Sequence, residues 1–174
     1  VDRILNAKRP IIYGGGGLIS SGADACESLA KLVYLTNAPC TLTLLGLGAF
    51  PGSDKHFIGM PGMHGTLEAN LAMHDADLIV CVGARFDDRV TGDVATFSPN
   101  SKKIHIDIDP KSINRLVKVN VGLTGDCGDV LNALLGALES DPRSTPTLED
   151  WWTTIKRWQD VKCLNFETKD ATIV

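Results

Sequence analysis

The stretch Gly83-Ala84-Arg85-Phe86-Asp87-Asp88-Arg89-Val90-Thr91-Gly92 sets two arginines and two aspartates on one loop, directly after the apolar run Leu78–Val82. A guanidinium is a planar fork of donors that matches phosphate or carboxylate, which the point charge of lysine does not. The loop therefore suits anion recognition. The same residues would also make a solvated loop with internal Asp–Arg pairs, and spacing alone does not choose between the two. A second cluster, Gly14-Gly15-Gly16-Gly17, closes the run Ile11-Ile12-Tyr13. Glycine lets a ligand approach the backbone so that peptide N–H groups face it, or it simply makes a tight turn. The dinucleotide fingerprint is incomplete here: counting from Gly14 or Gly15 puts Ile19 or Ser20 where the third glycine belongs. Thr41-Leu42-Thr43 stands where the ribose-binding acid is expected. A conventional nicotinamide dehydrogenase is disfavoured.

Other chemistries find less support. The five cysteines include no Cys-x-x-Cys, and Cys40 and Cys81 sit in apolar runs, which reads as reduced, mostly buried thiols of a cytosolic or organellar-matrix protein. The four histidines have no partners at zinc-site spacing, so no protein-bound metal is expected. A net charge of −4 without a basic stripe argues against nucleic acid, and no apolar run is long enough to span a membrane. The first residues, Val1-Asp2-Arg3-Ile4-Leu5, read as the middle of a helix with no initiator Met, signal or transit segment, which leads us to expect a fragment.

These loops need elements to hold them. Apolar strands are expected at Ile11–Tyr13, Cys40–Leu44, Leu78–Val82, Lys103–Asp107 and Val119–Leu123, and helices at Ala23–Thr36, Glu68–His74 and Val130–Leu138, with a short helical turn from Pro110. Strands alternating with helices imply an α/β fold. We expect a doubly wound, Rossmann-like, mostly parallel sheet of about five to six strands with helices on both faces. In such sheets ligands bind beyond the carboxyl ends of the strands, where Gly14–Gly17, Thr43–Gly48, Gly83–Asp88, Asp107–Asp109 and Gly125–Asp126 fall. This domain is expected to span 1–140. Residues 141–174 read as a linker, Asp141-Pro142-Arg143-Ser144-Thr145-Pro146, and an amphipathic helix at Leu148–Val161 with Trp151, Trp152 and Trp158. Those tryptophans must dock either back on this domain or against a further C-terminal domain.

The Gly83–Gly92 loop strongly resembles the signature loop of acetohydroxyacid (acetolactate) synthase catalytic subunits. Met60-Pro61-Gly62-Met63-His64-Gly65, Leu45-Gly46-Leu47-Gly48 and Ile104-His105-Ile106-Asp107-Ile108-Asp109-Pro110 join it in register, and the resemblance runs from about Lys8 to Leu138. It implies the central, DHS-like FAD-binding domain of a thiamine-diphosphate enzyme. Carried over, Gly15, Gly16 and Gly17 approach the adenosine and diphosphate; Thr43, Leu44, Leu45, Gly62, Met63 and His64 contact the flavin side. Gly83, Ala84, Arg85, Asp87 and Val90 line the diphosphate and ribityl stretch, Asp107 and Ile108 the adenosine, and Gly125 and Asp126 the adenine end. Asp107 stands where many members of that family carry Glu. Arg89 is implied to hold the carboxylate of a second 2-oxo acid in the active-site channel, with Met63 nearby. His64 is either an acid–base group or, as we favour, a packing and flavin contact.

The resemblance further implies an enzyme that decarboxylates pyruvate and joins the two-carbon unit to pyruvate or 2-oxobutyrate, in branched-chain amino-acid biosynthesis. Thiamine diphosphate and Mg2+ would be bound by N- and C-terminal domains of the same chain, leaving no catalytic residue here and an isolated domain without activity. Gly125-Asp126-Cys127-Gly128 lacks the pattern of a magnesium site. A homodimer or tetramer with a regulatory subunit is implied for the parent, located in a bacterial cytoplasm or an organellar matrix or stroma. Three competing readings are another thiamine-diphosphate carboligase or decarboxylase, a stand-alone nucleotide-binding module, and an NAD-consuming deacylase on a similar sheet.

Overall fold

The structure is a computed structural model that describes residues 1–165. Short apolar runs bounded by Gly or Pro become strands: β1 (Pro10–Gly14), β2 (Cys40–Leu42), β3 (Leu78–Val82), β4 (Lys102–Asp107) and β5 (Val121–Thr124). Helical spacing becomes α1 (Asp2–Leu5), α2 (Gly16–Ser21), α3 (Ala23–Thr36), α4 (Leu67–Asp75), α5 (Asp88–Thr91), α6 (Cys127–Glu139) and α7 (Glu149–Gln159). The strands form one five-stranded sheet in the order β2-β1-β3-β4-β5. Every pairing is parallel. All residues of β1 and β3 are buried, which explains their unbroken apolar sequence.

The chain order steps from β1 outward to β2, then back past β1 to β3 and on through β4 and β5. Right-handed crossovers then send α3 and α4 to opposite faces of the sheet. Accordingly α2, α3 and α6 pack on one another, and α4 packs with α7. Between these layers lies one core, with Ile11, Leu18, Leu29, Leu32, Ile79 and Ile106 fully buried.

Several expected boundaries move. The second strand stops at Leu42, because the Thr43 side chain accepts from the Gly46 N–H and starts a 3-10 turn over Leu44–Gly46. Gly16 and Gly17 open helix α2 rather than lying in a bare turn. Helix α6 begins at Cys127, three residues before the expected start, since the Asp126 carboxylate caps it by accepting from the Gly128 and Asp129 amides. The segment from Pro110 forms turns and no helix.

The tryptophan helix docks back on the domain. Trp151 and Ile155 of α7 are buried, the Trp151 indole donates to the Pro10 carbonyl at 3.0 Å, and the Trp152 indole donates to the Asn37 carbonyl at 2.8 Å. The linker before it is tied down by Arg143, whose guanidinium donates to Asp2 and, with two nitrogens, to Asp141. Residues 166–174 of the expected C-terminal segment lie outside the described residues.

Candidate functional site

In a 2-1-3-4-5 sheet the strand order reverses between β1 and β3, and ligands of such sheets bind outside the carboxyl ends of the strands there. A cleft of about 950 Å³ lies there, at the upper end of the range for small-molecule sites. Its walls come from every carboxyl-edge loop singled out above. Gly16 and Gly17 follow β1; Thr43, Leu44 and Leu45 follow β2; Gly83, Ala84, Arg85, Asp87, Arg89 and Val90 follow β3; Asp107 and Ile108 end β4; Asp126 precedes α6; and Met63 with His64 come from the loop before α4.

Gly15, Gly62 and Gly125 do not line the cleft, and packing explains the first two. A Cβ on Gly15 would fall 2.4 Å from the Gly83 carbonyl oxygen, and one on Gly17 would fall 2.7 Å from Gly83 Cα. The β1–α2 turn thus needs glycine to press backbone to backbone against the loop after β3, and the Gly17 amide donates to the Gly83 carbonyl at 2.9 Å. Gly62 has φ of +102° and sits against the Arg89 carbonyl, so a side chain there would be both strained and blocked. Gly125 donates its amide to the Asp107 carbonyl and links β4 to the start of α6.

The Met60–Gly65 loop and the arginine loop form one unit. The Met63 amide donates to the Arg89 carbonyl at 3.0 Å, and the Asn70 side chain both accepts from the Gly62 amide and donates to its carbonyl. Asp87 caps α5 by accepting from the Arg89 amide at 3.2 Å. Among the described residues the Arg89 guanidinium reaches only Asp88, at 3.9 Å with both side chains at least 75% exposed, a pairing worth little energy. Its fork remains free for an anion at the cleft wall. The internal Asp–Arg pairing that the sequence left open thus accounts for little of this loop.

At the far end the charge reverses. Asp107 Oδ1 accepts from the Asp109 amide at 2.9 Å, and its Oδ2 lies 3.6 Å from the ring nitrogen of buried His105. Burial, opposed by Asp107, pulls the His105 imidazole below its ordinary pKa, so it is neutral at pH 7. Asp126 spends its oxygens inside the protein: the Ser21 hydroxyl donates to one at 2.7 Å, and the Gly128 and Asp129 amides share the other. Ser21 foremost holds this carboxyl below its usual range.

Elsewhere the walls are apolar and open. Leu44 is 68% exposed, Leu45 74%, Met63 68% and Ile108 70%, all on the cleft. Four large apolar side chains exposed together on one concave surface mark a binding site or a covered interface. The residue reading missed several lining groups, among them Tyr13, Ser20, Ser21, Ser112 and Cys127, while Asp109 falls in the carboxyl-edge stretch it did single out. Ser112 carried a legible signal, since it follows a strand that ends on a carboxylate. Among the described residues, no three His, Cys, Asp or Glu gather to hold a metal ion, and no helix is long and apolar enough to cross a membrane.

A parallel sheet reversing at β1/β3, with an open cleft on its carboxyl edge, defines an α/β domain of the doubly wound kind. The chain belongs to the family of thiamine pyrophosphate enzyme central domains, whose model matches residues 1–134. Within it, the chain is 47% identical over 171 residues to the acetolactate synthase large subunit of Haemophilus influenzae, covering 98% of this chain and 30% of that protein. It is 41% identical to the acetolactate synthase isozyme 3 large subunit of Escherichia coli K12, over 99% of this chain and 30% of that protein. It is also 40% identical to a probable acetolactate synthase large subunit of Methanocaldococcus jannaschii, over 96% of this chain and 27% of the relative. The chain therefore spans under a third of the length of these curated relatives.

Proposed function

We propose that the cleft binds FAD in an extended form, and that the chain is the FAD-binding middle of an acetolactate synthase, inactive by itself. The supporting observation is the graded wall of one continuous cleft: open leucines and Met63 at one end, the Arg85 loop in the middle, carboxylates at the other. Apolar side chains suit a flat isoalloxazine ring, and backbone amides with a guanidinium suit a diphosphate. The free oxygen of Asp107 is able to accept from ribose hydroxyls, while Asp126, already saturated by Ser21 and two amides, serves better to hold α2 against α6 beneath the adenine end. Asp107 keeps this role as a shorter carboxylate than Glu.

In this reading Arg89 holds the carboxylate of the second 2-oxo acid. Its guanidinium has one long contact, to Asp88, among the described residues, and its position is set by the Met63–Arg89 backbone bond. Met63 borders the same space. His64 lies on the cleft wall without a protein partner among the described residues, which fits a contact role better than proton transfer, since no acceptor or donor orients its ring. Thiamine diphosphate with Mg2+, held by domains outside this chain, supplies the electron sink for decarboxylation and carbon–carbon bond formation. The open Leu44, Leu45 and Leu47 await cover from FAD and from those domains.

The test is a titration with FAD followed by flavin fluorescence, paired with a pyruvate-condensation assay of the full-length protein. Saturable FAD binding and formation of 2-acetolactate are expected. A protein that binds no flavin, or that consumes pyruvate without condensing it, removes this reading.

A further inference from the structure

Four side chains lie in one row across the sheet, just below the cleft. The strand register pairs Thr41 of β2 with Tyr13 of β1, Tyr13 with Cys81 of β3, and Cys81 with His105 of β4. All four are wholly buried at 0% exposure, in positions where apolar residues would satisfy a sheet core. Each instead meets a carbonyl of the loops beyond. Thr41 Oγ1 donates to Gly59 at 2.7 Å, Cys81 Sγ to Ala84 at 3.0 Å, and His105 Nε2 to the same Ala84 oxygen at 2.9 Å. The Tyr13 hydroxyl makes a longer contact, 3.4 Å, to Arg85.

The protonation states match this use. Nδ1 of His105 has no partner among the described residues, so the neutral ring carries its proton on Nε2, toward Ala84. Burial raises the Tyr13 hydroxyl and the Cys81 thiol well above their ordinary values, so both keep their protons. In a trans peptide the carbonyl and the next amide point opposite ways. Two donors pulling the Ala84 carbonyl into the sheet end therefore turn the Arg85 N–H outward, and that amide donates to no described protein group.

We propose that Tyr13, Cys81 and His105 of this row are positioning residues that clamp the loop after β3 from below, presenting the Arg85 amide to the diphosphate bridge of the bound dinucleotide, while Thr41 fastens the neighbouring Gly59 carbonyl. The proposal rests on the FAD reading above and adds how its anion is recognised. Phe86 seals the clamp, its ring 5.2 Å from His105 and 6.0 Å from Tyr13.

The test compares FAD with riboflavin, which lacks the diphosphate, in the full-length protein. Cys81→Ala and His105→Leu are expected to weaken FAD binding by up to about tenfold each, the worth of one hydrogen bond, and to leave riboflavin binding within about twofold. Cys81→Ser and His105→Gln, which keep a donor, should restore most of the FAD affinity. Hydrogen exchange in the unmutated protein supplies a readout that survives a misfolded variant: the peptide covering residues 83–87 should gain protection with FAD and not with riboflavin. Unmutated protein that binds neither flavin refutes the FAD reading itself. Flavin binding by the unmutated protein with FAD affinity unchanged in folded Cys81→Ala and His105→Leu, or with equal loss for both flavins, or with no FAD-specific protection, overturns the clamp alone.

Discussion

The two ends of the sheet treat similar residues in opposite ways. At the amino end the polar groups are consumed within the protein: the Asp77 carboxylate accepts the Lys8 and Arg9 amides, and the Trp151 indole closes on the Pro10 carbonyl. Trp151 is 2% exposed there. At the carboxyl end Leu44, Leu45, Met63 and Ile108 stand open, and the Arg89 guanidinium has one weak partner among the described residues. Burying apolar surface stabilises a fold and leaving it in water does not, so the open end contributes little to stability and is available for a ligand or neighbouring domain. The tied-down end and the candidate site occupy opposite ends of the same strands.

Substitutions at each end can break or sharpen that contrast. Trp151→Ala is expected to cost about 3–5 kcal/mol in denaturant unfolding, the usual range for removing a buried tryptophan, with FAD affinity of the folded fraction preserved. An equal loss of FAD affinity would erase the distinction between the ends. Arg89→Ala should leave stability within about 0.5 kcal/mol but raise the KM for the second 2-oxo acid by about tenfold or more, as expected when a charged hydrogen bond is lost. Steady-state kinetics against FAD titration separates the two effects; a parallel fall in FAD binding would move Arg89 into the cofactor site.

Asp126 tests the boundary, being a cap that also lines the cleft. Asp126→Ala is expected to cost about 1 kcal/mol through the lost helix cap. Because the Ser21 hydroxyl and then the two amides depress its folded pKa, its ionised form stabilises the fold above the ordinary carboxylate pKa, and that contribution is lost as pH falls through the depressed value. Asp126→Asn keeps the cap and should flatten this part of an acid titration followed by circular dichroism. Smallest of all, Leu45→Ser should leave thermal stability unchanged while weakening flavin binding, because the side chain it removes is already in water.

Much of the scaffold was legible. Leu78–Val82 and Ala23–Thr36 appear with the expected bounds, since an unbroken apolar run and a helical period each have few alternatives. The carboxyl-edge loops were legible as a set because parallel α/β topology brings strand ends together wherever they occur in the chain. The ends of β2 and α6 were misjudged because single side chains, Thr43 and Asp126, cap the helical turns after them, and a cap acts through geometry rather than periodicity. The donor row escaped notice for another reason. Strands buried on both faces have no alternating pattern, so nothing marks Tyr13, Cys81 and His105 as sharing a face.

From the order of residues alone came the class of fold, the loops that line the cleft, and the kinship those loops announce. Which glycines press against backbone, where the tryptophan helix lands, and which side chains align across neighbouring strands were decided only by the folded chain. Each of these depends on the pairing of segments dozens of residues apart, and local sequence holds no record of that register until the strands are hydrogen-bonded.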